Sequence, residues 1–197
     1  MTTILERSYP EQLIAEIIAN HLRVAEVDGE LFEHARMCVY NAFDAAEEYT
    51  NRVIVDSLVT FSFDTIEDRV IEMPSAPIRE IVEVRYYGAD DKWHTIEGYD
   101  LVSNTRRALL DIRHIPALSS SRAIGRVEID ARCGFDDGDA RRASASHPLP
   151  GGIEQAVMLT AGTFFNFTED NVHGSVSELP TSAKSLLHPY RIYPYGA

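Results

Sequence analysis

The hydrophobic period of this chain changes twice, and that limits the fold more than any other feature. From Glu11 to Thr50 the apolar residues recur at helical spacing. From Val53 to Ala131 they fall in short runs and alternations, and from Ile153 the helical spacing returns. A stripe at period 3.6 needs a helix and a stripe at period 2 needs a strand, so one kind of element cannot serve throughout. The order predicts an α+β fold: a helical bundle of two N-terminal helices, a C-terminal helix and a short terminal helix, with a small antiparallel β-subdomain inserted into it.

Leu13, Ile14, Ile17, Ile18, His21 and Leu22 mark a first helix over Glu11 to Val24, entered through Tyr9-Pro10. Asp28-Gly29-Glu30 breaks it. Leu31, Ala35, Cys38, Val39, Ala42, Ala46 and Tyr49 then mark a long amphipathic helix ending near Thr50-Asn51, with Glu33, Arg36, Asp44, Glu47 and Glu48 on its wet side. The β-prone runs are Val53 and Val55, Phe61 and Phe63, Val70 and Ile71, the alternating Ile78 to Tyr87, Tyr99 to Val102, Ala108 to Ile112, and Arg126 to Ala131. Gly88-Ala89-Asp90-Asp91 reads as a hairpin turn into Trp93, and Met73-Pro74-Ser75-Ala76-Pro77 as a turn that proline keeps out of a central strand.

Ile153, Val157, Ala161, Phe164, Phe165 and Thr168 predict a central packing helix. Thr181 to Leu187 offers a Thr cap and a Leu pair, which Pro189 stops. The expected organisation is therefore an N-terminal helical segment over residues 1–52, a β-subdomain 53–132, a loop 133–152, and C-terminal helices with a docking arm 153–197. The loop around Asp136 to His147 is polar and lacks a period, so mobility is expected of it.

At 197 residues with 45% hydrophobic composition the chain can build a core. No run of apolar residues is long enough for a membrane span, and no basic-then-apolar leader opens the chain, so a protein made in the cytosol, with no membrane partner, is expected. Cys38 and Cys133 have no paired spacing and read as free thiols. The net charge of −13 argues against gripping a nucleic-acid backbone, since phosphate binding needs Lys and Arg to displace counterions.

Catalytic and metal signatures are missing: there is no phosphate loop, nucleophile elbow, His-Glu-x-x-His or paired Cys motif. His34 and Cys38 share a helix face but have no third ligand, so a packed thiol is the expectation. Asp136, Asp137 and Asp139 depart from the calcium-loop spacing and read as a solvated acidic loop. His173 and Ser175 have no orienting carboxylate, and Asn166-Phe167-Thr168 is a sequon by pattern alone. No catalytic residue, metal or cofactor is assigned.

The tail Tyr190-Arg191-Ile192-Tyr193-Pro194-Tyr195 is aromatic and basic in an acidic chain. Tyr and Arg dominate binding hot spots, so a partner is one reading of it; folding back onto its own helices is the other. On the first, deleting everything after Leu187 leaves a folded, soluble subunit.

Taken in order, several blocks resemble the head-tail connector (adaptor) family of bacteriophages and gene transfer agents, of the gp6-like and gp15-like kind. They are His21-Leu22-Arg23-Val24 before an acidic turn, Glu48-Tyr49-Thr50-Asn51-Arg52, Val70 to Ile78 followed by Ile81, Val84 and Tyr86, Tyr99-Asp100-Leu101-Val102, and Pro150 through Leu179-Pro180, Leu186-Leu187 and Tyr190-Arg191. The stretch Asp130 to Phe135 departs from the family pattern.

This resemblance implies a structural virion component at the head-tail interface, assembled in the host cytoplasm. It further implies a dodecameric ring of copies docked on a portal protein, extending a DNA channel that does not bind DNA specifically, and a platform for the next tail-completion or stopper protein. Leu186, Leu187, Tyr190, Arg191, Tyr193 and Tyr195 are the implied partner-binding residues. A small cytosolic enzyme or ligand-binding domain, or an acidic interaction protein, are the rival classes.

Overall fold

The computed structural model describes residues 1–114, 116–135, 147–166 and 179–193. They form two compact units, Met1–Ser8 with Asp56–Gly134 and Tyr9–Val55 with Phe135–Ala197.

The first unit is built from strands. β1 (Thr2–Ser8), β2 (Asp56–Phe63), β8 (Val127–Cys133), β4 (Ile78–Tyr87) and β5 (Trp93–Thr95) pair in that order in an antiparallel five-stranded sheet. β3 (Val70–Glu72), β7 (Ala108–Ile112) and β6 (Tyr99–Ser103) form a second, three-stranded antiparallel sheet. The single sheet expected of the subdomain is therefore two.

Period-2 alternation explains the burial. Val127, Ile129, Ala131 and Cys133 on β8, and Ala108, Leu110 and Ile112 on β7, point inward with no exposed surface. β4 needs two register shifts, near Ile78/Glu80 and Ile81/Glu83, to keep its inward residues in phase with β8. The Ile78 amide donates to Ser103 Oγ at 2.8 Å and ties the two sheets together.

Thr2–Ser8, placed by the sequence reading in the N-terminal helical segment, is a strand instead. Six of its seven residues are exposed, so it has no buried face whose period could announce it. Val53 and Val55 are buried but lie before β2, in the second unit.

The second unit holds the helices. α1 (Glu11–Glu16) widens into a π turn over Ile17–Leu22, closed by Arg23 in the left-handed region at φ 58°. α2 (Gly29–Thr50) begins two residues earlier than Leu31 and ends as its pattern predicts, with Asn51 left-handed at φ 52°. α3 (Gly151–Asn166) and α4 (Thr181–Leu187) complete the set. α4 has Pro180 at its N-cap and no side-chain cap bond, so Thr181 is a first-turn residue rather than the cap.

Ile14 and Ile18, Val39, Ala42 and Phe43, Ile153 and Val157, and Leu187 share one core. Thr160 is tolerated in it because its hydroxyl bonds the Ala156 carbonyl one turn back at 2.8 Å. None of the described helices is long and apolar enough to cross a membrane.

Candidate functional site

The partner-binding residues expected from the sequence begin on α4, and their surroundings divide them. Ala183 and Leu187 stand four apart on the inward face and are fully buried; Leu186 is half-buried against the same core. Beyond Leu187 the chain makes one 3-10 turn, His188–Tyr190, in which Pro189 sits where a missing N–H costs nothing. It is extended again at Arg191, with φ −67° and ψ 131°.

From there the end of α2 holds it. The Ile192 amide donates to the Thr50 carbonyl at 2.8 Å, Asn51 Nδ2 donates to the Ile192 carbonyl at 3.2 Å, and Arg52 Nε donates to the Tyr190 carbonyl at 2.7 Å. The left-handed turn at Asn51 ends α2, so the Thr50 carbonyl has no helical amide to accept from and takes that of the arm. Arg52 is only 5% exposed, and its desolvation lowers the guanidinium to about 10, opposed by the nearby Tyr190. The Tyr190 ring lies against Gly152 so closely that a Cβ there would come within 3.1 Å of it.

Outside this clamp lies an exposed stack. The Arg191 guanidinium sits 5.2 Å from the Tyr49 ring centroid and 5.3 Å from that of Tyr193, and Tyr193 meets His188 edge-on at 6.5 Å. Tyr193 is 58% exposed. The six residues named from the sequence thus separate: Leu187 belongs to the core, Leu186 and Tyr190 anchor the arm, and Arg191 and Tyr193 face water. Tyr195 lies outside the described residues.

Tyr49, Asn51, Arg52 and Gly152 were not assigned to the site from the sequence. Their signal was present only as the block Glu48-Tyr49-Thr50-Asn51-Arg52, whose order resembles the family but whose spacing from the tail says nothing of contact.

Of the remaining candidates, His34 and Cys38 are packing groups. Cys38 Sγ lies 3.7 Å from His34 Nε2, the His34 ring packs on Phe165 with centroids 5.5 Å apart, and burial raises the Cys38 thiol. Among the described residues no three His, Cys, Asp or Glu side chains converge as a metal site would require. The Asp136, Asp137, Asp139 group, His173 with Ser175, and Phe167 and Thr168 of the sequon lie outside the described residues.

A cavity of about 170 Å³ opens beside α1 and α2, lined by Glu11, Ile14, Ala15, Ile18, Phe32 and Arg36. At its edge Glu11 accepts from Tyr40 at 2.7 Å and from Arg36 at 3.1 and 3.2 Å, so its carboxylate is held by two donors rather than poised as a base. The arrangement is suited to surface recognition through Arg191 and Tyr193.

No protein-family model matches the chain, and no curated protein does. Solved structures do match in fold, at low identity. A chain in the virion of a native gene transfer agent particle is 20% identical with TM-score 0.74. One in the neck of an empty particle, computed with C6 symmetry, is 21% identical with TM-score 0.75, and one in the neck of a native particle, computed with C12 symmetry, is 19% identical with TM-score 0.68. Each match covers 100% of this chain and 98% of the other.

Proposed function

We propose that this chain is a structural neck protein of a tailed particle: a head-tail connector that docks as a ring under the portal, extends the DNA channel and offers a platform to the next tail component. The observation that supports it best is agreement of fold over the entire chain with chains in gene transfer agent structures, two of them of the neck. A ring of twelve copies is compatible with both the C6 and the C12 symmetry of those necks.

Composition favours the same reading. A ring of subunits each carrying −13 repels phosphate, so duplex DNA passes without being gripped. The work of such a protein is binding, which agrees with a site made of stacked Tyr and Arg. Arg191 and Tyr193, with Tyr195 beyond them, are the residues proposed to meet the portal. Leu186, Leu187 and Tyr190 hold the segment that presents them.

The test is assembly. Full-length protein should co-sediment with portal-containing heads, and particles made without it should accumulate as heads lacking tails. Arg191→Ala with Tyr193→Ala should fold normally and lose co-sedimentation. Normal tailed particles in its absence would sink the proposal.

A further inference from the structure

At one end of the five-stranded sheet, three kinds of surface group meet that a protein seldom leaves together in water. Trp93 on β5 is 39% exposed and Ile124 is 74% exposed. The Arg122 guanidinium lies 4.9 Å from the Trp93 ring and 5.5 Å from the Tyr87 ring, and Arg122 Nε donates to the Ile124 carbonyl at 2.8 Å. These contacts lock the loop that carries Ile124 to the β4–β5 hairpin, so the patch is ordered before any partner arrives.

The patch holds two cations, Lys92 and Arg122, beside two carboxylates that are already engaged. Asp90 is occupied by His94 at 2.8 Å, and Asp91 accepts from Ser119 and Ser121. Lys92 and Arg122 have no carboxylate partner among the described residues. β5 is also an edge strand. The Gly88 amide takes the Lys92 carbonyl and the Ile96 amide takes that of Val84, so alternation turns the backbone groups of Trp93 and Thr95 away from β4. Trp, Tyr and Arg held rigidly around an exposed isoleucine have the composition of a binding hot spot.

The same protein carries a complement in its helical unit. At the turn into α2, Val27 is 90% exposed and Leu31 is 47% exposed. Around them Glu26, Asp28 and Glu30 are all exposed, with no side-chain partner among the described residues. Asp28 stands at the N-cap of α2 yet makes no side-chain cap bond, so its carboxylate is available to an outside donor.

The geometry points to a contact between copies, in which the Trp93–Arg122 patch of one copy seats on the Val27–Leu31 turn of a second. Trp93 and Ile124 cover Val27 and Leu31, while Lys92 and Arg122 meet Glu26, Asp28 and Glu30. The two faces are unlike, so the contact is heterologous and repeats around a ring when its rotation closes. This deepens the ring reading above and rests on it. Duplex DNA is the less suitable occupant, because two unpaired cations on a protein of net charge −13 neutralise few phosphates.

Reversing charge on one face at a time tests it in the full-length protein, by itself and on portal-containing heads. The patch variant carries Lys92→Glu and Arg122→Glu; the turn variant carries Glu26→Lys and Glu30→Lys. Each alone should self-associate at least about tenfold more weakly than wild type, since like charges then face each other. An equimolar mixture should regain wild-type association, because every reversed patch again finds an opposite turn.

Independently, protein bearing Ile124→Cys mixed with protein bearing Val27→Cys should form an intermolecular disulfide between the two variants that neither makes alone; the native Cys38 and Cys133 are buried. Association that ignores both reversals and yields no cross-link overturns the contact and leaves the ring. Absence of association by wild type, by itself and on heads, overturns both. Loss of duplex-DNA binding in the patch variant, with association unchanged, assigns the patch to nucleic acid and overturns the contact.

Discussion

Deleting residues 188–197 removes the whole clamp between the arm and the end of α2, and its cost follows from the bonds lost. The Arg52–Tyr190 bond has a charged, 5% exposed donor and contributes about 1.5–3 kcal/mol. The Thr50–Ile192 and Asn51–Ile192 bonds contribute about 1 kcal/mol each, and the exposed Arg191–Tyr49 contact about 0.5–1 kcal/mol. Some of these groups recover water on truncation, so a net loss of about 3–5 kcal/mol is expected. That is a large share of the ~5–15 kcal/mol that holds a typical domain together. At about 2–4 °C per kcal/mol for a protein of this size, thermal melts should fall by about 6–20 °C.

Removing residues 194–197 alone spares every bond named and should cost clearly less than the longer truncation. Arg52→Met placed in the longer truncation should recover some of the loss, because a buried cation that has lost its Tyr190 acceptor is removed with it. The assay is a melt followed by circular dichroism on the four proteins. A longer truncation melting within about 2 °C of full length would refute the reasoning and restore the expectation that the arm is dispensable for folding.

Glu47 Oε1 accepts from the amides of Ile54 and Val55 at 2.6 and 2.9 Å, so Glu47→Ala should destabilise by about 2–4 kcal/mol in urea titration, and Glu47→Gln, which keeps an acceptor, by clearly less. Burial raises the Cys133 thiol from 9.0 to about 12, so it should stay silent to thiol reagents at pH 8 until the chain unfolds. The unfolded chain releases that proton first, so the stability linked to Cys133 is full below pH 9 and declines as pH rises toward 12. Phe61, 1% exposed in the strand unit, should cost about 3–5 kcal/mol when changed to Ala, and a loss under about 1 kcal/mol would contradict its burial.

What this sequence determined by itself was the identity of elements that bury one face. α2 ends at the residue its pattern predicts, β7 spans Ala108–Ile112 as read, and the Gly88–Asp91 turn joins β4 to β5, because in each case a period and a breaker act within a few residues of one another. β1 escaped because a strand with hardly any buried side chain carries no alternation; only its pairing with β2, about fifty residues on, makes it a strand.

The division into two sheets was equally hidden. A run of strands states its inward residues but not its partners, and partner choice depends on bonds such as that between Ile78 and Ser103. The tail shows the same limit at the site. Its composition raises the expectation of recognition at Tyr190, Arg191 and Tyr193, but only the folded chain brings Thr50, Asn51 and Arg52 to meet the arm across about 140 residues of sequence. Burial of Arg52 then makes Tyr190 an anchor and leaves Arg191 and Tyr193 to face water. Side-chain type sets what a residue can bind; tertiary contact decides which of its groups are already taken.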